Sequence, residues 1–288
     1  MSNKKFFIFI FCIIFLCGTY SVNAKISPPF NDKNELDLSI KNILLSAESG
    51  LKVNRKKNTI TATKNVKLVY QGIIMYSNKM TAYFDTDKKS DKTILLSSDS
   101  NSKVKLFRAT GDVKIISGEQ NFTIFTDLAT FVPNTGIFVL TSNDGNITTL
   151  SQADTTVRTA DKIIYNSNTL IAEVNNGEII NQQHILSAPK IVVTFEEEAG
   201  LSGLILKNAK TVGRTRIVSA DQIMESDFAT YTPGNNLAML YGNVVLIKGD
   251  NTTVKGGKIT YDMFSGDIHL TPQDDQQKIQ ILIDQEDL

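Results

Sequence analysis

Two histidines, His184 and His269, carry the only imidazoles in the chain, so acid–base or metal chemistry near neutral pH would have to start from them. Asp267 lies two residues before His269 and shares its face if that stretch is a strand, but two ligands fall short of the three or four that a zinc site needs. His184 closes the polar run Asn181-Gln182-Gln183-His184, which reads as a loop rather than as the seat of a general base. The acidic run Glu196-Glu197-Glu198 follows a strand-like stretch and reads as a solvated corner. The sequence offers no glycine-rich phosphate loop, no nucleophile elbow and no cysteine-based pair. These residue types predict no enzyme, no metal site and no cofactor, and they leave the apolar residues as the material for a function.

The elements that carry those residues are repetitive. A small residue, a turn-former or short polar, Lys or Gln, then Ile or Met recurs as Ser77-Asn78-Lys79-Met80, Ala160-Asp161-Lys162-Ile163, Ala188-Pro189-Lys190-Ile191, Ala220-Asp221-Gln222-Ile223 and Gly256-Gly257-Lys258-Ile259. The last four copies start 28, 32 and 36 residues apart, the size of a supersecondary unit and too short for a domain. A longer repeat overlays it: the segment Asp127 to Pro133 returns as Asp227 to Pro233, and Thr155 to Tyr165 returns, one residue shorter, as Thr252 to Tyr261. A block of about a hundred residues is thus present roughly twice.

Past Gly50 the pattern is strand-like, as in Thr59 to Thr63, Val66 to Tyr70, Val244 to Ile247 and Lys278 to Ile283. These runs are short, rich in β-branched and aromatic residues, and bounded by turn-formers such as Asn134-Thr135-Gly136, Asp144-Gly145-Asn146, Asn175-Asn176-Gly177, Gly234-Asn235-Asn236 and Gly249-Asp250-Asn251. The fold class predicted is all-β with many short antiparallel strands, and only Asn34 to Ser46 is open to being either a short helix or the first strand. Strands without alternating helices must close their apolar faces on each other. In each tetrapeptide copy the Ile or Met and the residue two further on share one face, and the neighbouring cation or polar group takes the other.

The N-terminus opens with Lys4-Lys5, eleven apolar residues from Phe6 to Leu16, and a small-residue exit at Val22-Asn23-Ala24, the layout of a signal peptide cleaved after Ala24. Eleven apolar residues are fewer than the roughly 20 that span a bilayer. Phe15 and Leu16 are too bulky for Cys17 to read as a lipid-attachment site. Cys12 and Cys17 leave with that segment, so a secreted mature chain would carry no thiol or disulfide. Without Lys4 and Lys5 the chain holds 28 basic and 30 acidic side chains with no basic stripe, which argues against nucleic-acid binding. The expected organisation is a signal peptide over 1–24, a linker or short element over 25–42 after Pro28-Pro29, a β-domain over 43–270 of one or two tandem units, and a C-terminal edge strand and tail over 271–288.

The segment from Ser219 to Gly266 carries a resemblance: Ser219-Ala220-Asp221-Gln222-Ile223, Ala229-Thr230-Tyr231, Leu240-Tyr241-Gly242-Asn243-Val244, Gly249-Asp250-Asn251, and Lys255-Gly256-Gly257-Lys258-Ile259-Thr260-Tyr261. It resembles the periplasmic lipopolysaccharide-transport bridge proteins, the LptA or OstA-like family. The N-terminal part, from Ile43-Leu44-Leu45-Ser46-Ala47-Glu48 through Asn65-Val66 to Ser77-Asn78-Lys79-Met80, is similar to that family's first strands, with Lys64 where a glycine is expected. Between about Lys89 and Leu206 the likeness runs only through the repeat, with Gly111-Asp112-Val113 as a variant of Gly242-Asn243-Val244. The resemblance implies an elongated twisted β-jelly-roll, open along one edge, that holds lipopolysaccharide acyl chains inside. It also implies unpaired terminal strands that stack head to tail or onto inner- and outer-membrane components of the transport machinery, the candidates being Leu38 to Ser46 and Lys278 to Ile283.

The lipid-binding residues expected on this reading are Met80, Ile163, Tyr165, Ile191, Ile223, Val244, Leu246, Val254, Ile259 and Tyr261. The function expected is non-enzymatic lipid transfer in the periplasm, as part of a bridge between the two membranes. The rivals are a membrane-anchored, LptC-like partner of the same pathway, a structural envelope β-solenoid that binds no lipid, and a glycan-cleaving enzyme. The last would need paired acids on one face, which the outward Lys and Gln of the repeat do not supply.

Overall fold

The structure is a computed structural model that describes residues 38–40, 43–70, 72–85, 104–118, 121–143, 145–152, 155–181, 184–197, 204–249, 252–272 and 279–283. The expected signal peptide lies outside these residues. Those described form twenty-one strands and one short 3-10 turn, Pro233–Asn235, within the unit Asn34–Leu288. In chain order the strands are β1 (Leu38–Ile40), β2 (Ile43–Ser46), β3 (Leu51–Asn54), β4 (Thr59–Tyr70), β5 (Ile73–Phe84), β6 (Val104–Ser117), β7 (Phe122–Val132), β8 (Ile137–Thr141), β9 (Thr148–Gln152), β10 (Thr155–Thr159) and β11 (Lys162–Asn166). They continue as β12 (Ile171–Asn181), β13 (His184–Glu197), β14 (Leu204–Val212), β15 (Thr215–Val218), β16 (Gln222–Ser226), β17 (Phe228–Thr232), β18 (Leu237–Lys248), β19 (Thr252–Asp262), β20 (Ile268–Thr271) and β21 (Gln280–Ile283). The stretch from Leu38 to Ser46, open to helix or strand in sequence, contributes β1 and β2.

The fold is an all-β antiparallel jelly-roll. Each long strand bends near its middle and feeds two ladders. The first runs β2, 66–70, 73–77, 113–117, 122–126, β9, β10, 177–181, 184–188, β15, β16, 244–248, 252–256 and β21. The second runs β3, 59–63, 79–84, 104–110, 128–132, β8, β11, 171–175, 190–197, β14, β17, 237–241, 258–262 and β20. The ladders are joined along the bends and turn their apolar faces toward each other. On the first ladder β1 adds to β2.

The bends are built from residues that accept positive φ. Gly111 and Asp112 stand at +77° and +46°, Gly242 and Asn243 at +71° and +44°, and the ladder slips register at both places. Lys64 and Asn65 adopt the same pair of angles, +67° and +47°, so the lysine fills a left-handed slot that elsewhere holds glycine. Glu48 secures that bend, accepting from Asn65 Nδ2 at 2.6 Å and pairing with Lys64 Nζ at 3.3 Å. Similar bonds recur along the spine: Asn78 Nδ2 donates to Asp112 at 2.8 Å, Asn146 Nδ2 to Asp127 at 2.9 Å, Asn176 Nδ2 to Asp161 at 3.2 Å and Asn243 Nδ2 to Asp227 at 2.7 Å. Backbone and side-chain donors hold the Asp127 carboxyl below its ordinary range, and Asn65 and Lys64 do the same for Glu48.

Two sequence expectations change here. Asn175-Asn176-Gly177 is no hairpin turn: Asn176 takes φ +44° inside the continuous strand β12 and bends it. Four copies of the recurring tetrapeptide sit at bends, but Ala220-Asp221-Gln222-Ile223 spans the tight turn between β15 and β16 at the far rim. The bend of that rung is Ser226-Asp227-Phe228, the partner of Asp127-Leu128 in the hundred-residue repeat. Asp127 and Asp227, which correspond in the longer repeat, therefore both stand at bends, whereas this copy of the tetrapeptide stands at a rim turn.

Candidate functional site

The interior between the ladders is arranged in rows, because residues opposite each other in register share a face. On the first ladder the inward row reads Leu45, Leu68, Met75, Ile115, Ile124, Leu150, Val157, Ile179, Leu186, Ile217, Met224, Leu246 and Val254, aliphatic throughout. On the second ladder the corresponding row reads Ile60, Ala82, Phe107, Phe131, Phe138, Tyr165, Ala172, Val193, Ala209, Tyr231, Ala238, Tyr261 and Ile268. A deeper row beside the bends contains Met80, Ala109, Ala129, Leu140, Ile163, Val174 and Ile191, followed by Leu240 and Ile259.

Of the expected lipid-binding residues, Met80, Ile163, Ile191 and Ile259 lie in the deep row and are 0% exposed. Val244 is buried beside its bend, and Tyr165, Leu246 and Tyr261 lie buried in the outer interior rows. Val254 is half-buried against the core. Ile223 stands apart: it is half-buried on the outer face, paired with Val218 and Ile247, while its neighbour Met224 is the inward residue at 0% exposure. The reason is the rim position of its tetrapeptide, which shifts the alternation by one residue. Sequence reasoning also missed the aromatic row, whose members are far apart in the chain and meet only through register.

The side of the interior away from the bends is a mouth. Toward the N-terminal edge, rings fill it: Phe107 with Phe131 at 6.4 Å, Phe131 with Phe138 at 4.2 Å, Phe138 with Tyr165 at 6.2 Å, and, from the opposite ladder, Tyr70 on Phe131 at 5.1 Å and Phe122 on Tyr165 at 6.0 Å. Among the described residues, two small clefts open to solvent lie here. One is lined by Phe122, Leu150, Gln152, Tyr165, Phe195 and Leu204. The other is lined by Ile179, Asn181, His184, Leu186, Ile217, Tyr231, Ala238 and Met263. Burial in this apolar interior pushes the Tyr165 hydroxyl up to about 12, and it raises Tyr231 in the same direction.

His184, expected in a polar loop, is the first residue of β13 and half-buried at the mouth. Its Nε2 lies 3.0 Å from the Tyr261 hydroxyl, with the rings edge-on at 5.8 Å, and burial lowers its pKa. His269 is exposed on β20. Glu196 ends near the rim of β13 and pairs with Lys207 at 2.9 Å. Among the described residues no group of three or more His, Cys, Asp or Glu is placed to hold a metal ion, and no helix is long and apolar enough to cross a membrane.

Residues 176–267, which run from the bend of β12 to the residue before β20, match the family model described as LptA/(LptD N-terminal domain) LPS transport protein. A search of curated proteins gives no match. Among solved structures, the chain is similar to LptH from Pseudomonas aeruginosa, described as the LptA homologous periplasmic component of the lipopolysaccharide transport device. The identity is 15%, the match covers 58% of this chain and 97% of that one, and the TM-score is 0.25. A second likeness is to apo AztD from Citrobacter koseri, at 8% identity over 86% of this chain and 97% of that one, with a TM-score of 0.12.

Proposed function

We propose, on the premise that residues 176–267 resemble the LptA and LptD N-terminal domain of lipopolysaccharide transport, that this chain is a non-enzymatic transfer protein of that pathway. It shelters the acyl chains of lipopolysaccharide or a related glycolipid between its two ladders and leaves the sugars outside. The observation that carries this reading is the pair of inward rows, apolar on every strand from β2 and β4 to β19. Moving a lipid through water exposes about 0.8 kcal/mol per methylene, or ~10 kcal/mol for a twelve-carbon chain, and an unbroken apolar track removes most of that barrier.

Loading requires the mouth to part, since the deep row is fully buried. As the two apolar faces separate, hydrocarbon from the lipid packs against each of them in turn, so the exchange is close to neutral. The proposed setting is the periplasm, with other components of the transport machinery as partners. The strands at either end of the ladders, β1 and β3 at one and β20 and β21 at the other, have no further neighbour among the described residues and are suited to strand addition.

Native mass spectrometry of the protein purified from the cell envelope tests this reading. It is expected to carry an acylated glycolipid or to take up added lipopolysaccharide. The closed deep row favours one competing reading, a structural β-solenoid, and a protein that stays lipid-free under both conditions would establish that one instead.

A further inference from the structure

The mouth is not uniform, and two independent features change in the same direction along it. The first is the inward row of the second ladder. From Phe107 to Tyr165, after Ile60 and Ala82, it presents consecutive rings, whereas beyond Tyr165 Ala172, Ala209 and Ala238 alternate with Val193, Tyr231 and Tyr261. Each alanine places a much smaller side chain in the row than the phenylalanines of the N-terminal half, and the cleft lined by His184 lies beside Tyr231 and Ala238.

The second feature is the rim of the first ladder. Its outermost inward-facing positions are Ile43, Tyr70, Ile73, Ser117 and Phe122 toward the N-terminal edge. Further along, the same positions are Gln152, Thr155, Asn181 and His184. A lip that is apolar but for Ser117 thus becomes polar throughout where the interior row loses its rings. Across that stretch the ladders are bridged by His184 and Tyr261 at 3.0 Å, whereas the other cleft is framed by Phe122, Tyr165 and Phe195 and by Gln152 donating to the Leu204 carbonyl.

We propose that lipid enters through this C-terminal part of the mouth: an acyl chain inserts beside Ala209 and Ala238, and the His184–Tyr261 bond is the latch that must open to admit it. The inference rests on the lipid-transfer reading and adds where the interior opens and which residues control it. A polar lip suits the chain's attachment end, which carries ester or amide oxygens, and the alanine row suits the hydrocarbon. Opening exchanges apolar packing within the protein for apolar packing against the lipid. The His184–Tyr261 bond is not replaced, which makes it the rate-setting interaction.

The test follows uptake of fluorescently labelled lipopolysaccharide by the full chain and by two variants. Tyr261→Phe keeps the ring and removes the hydroxyl, and it is expected to speed uptake about fivefold, the equivalent of one neutral hydrogen bond. Ala238→Leu fills the cleft and is expected to slow uptake by at least as much. A photoreactive aliphatic residue at position 263 should capture lipid earlier in the time course than one at position 150 in the other cleft. Native uptake rates in both variants, or earlier capture at position 150, would overturn the proposal while leaving lipid transfer intact. No uptake by the unaltered chain would instead refute lipid transfer, and this proposal with it.

Discussion

Gly242 shows how much of this fold depends on single residues at the bends. It holds φ +71°, and a Cβ there would come within 2.7 Å of Asp227 Oδ2, the atom that accepts from Asn243. Gly242→Ala is therefore expected to destabilise the protein by about 1–3 kcal/mol in denaturant unfolding. Gly234→Ala, at ordinary φ with nothing nearby, should be close to neutral. The equivalent slot at Lys64 was legible only in part, because sequence shows that glycine is replaced but not that Glu48 holds both Lys64 and Asn65 in place. Two titrations extend the residue scale. Burial raises Tyr165 to about 12, so the folded state keeps a proton that the unfolded chain loses near 10, and stability should fall as pH rises between those values. His184 behaves in the opposite sense: burial lowers its pKa from 6.5, and among the described residues the titratable groups at its cleft are Tyr231 and, across the bond, Tyr261. Closure is thus favoured above pH 6.5 and weakens as pH falls through the lowered value, which faster lipopolysaccharide uptake in mildly acidic buffer would register.

At the scale of elements, the alternation of burial along β16 decides which side chains face the interior. Met224→Ala is expected to lose about 2–5 kcal/mol, as a buried side chain does, and Ile223→Ala, on the outer face, only about 0.5. Chemical denaturation of the two variants checks this directly, and a larger loss at Ile223 would reverse the assignment. The strands themselves were readable from β-branched runs and turn residues, and Asp127 and Asp227, which correspond in the hundred-residue repeat, both stand at bends. The inward rows were not readable. Phe107, Phe131, Phe138 and Tyr165 meet only because register aligns four strands, and register depends on where each strand bends, a property of φ at one or two residues. The tetrapeptide at Ala220 misled for the same reason, since its residue types suit a rim turn as well as a bend.

On the scale of the whole molecule, two ladders joined along a polar spine and facing each other through apolar rows form a closed interior. On the proposed reading, the chemistry of that interior is the removal of hydrocarbon from water. It also changes how the role should be probed. Ile259→Asp, the natural sequence-based test of lipid loading, would place a charge at a position with 0% exposure and unfold the domain before it reported on lipid. Neighbours on one strand give a cleaner readout, because Ile259 points inward and Thr260 outward on β19. A diazirine-bearing aliphatic residue placed at each position in turn, followed by irradiation with bound lipopolysaccharide and mass spectrometry of the adduct, tests the central claim. A glycolipid adduct is expected at position 259 and none at 260. Adducts mainly at 260, or none at either in protein that has bound lipopolysaccharide, would show that the lipid rides on the outside and contradict it.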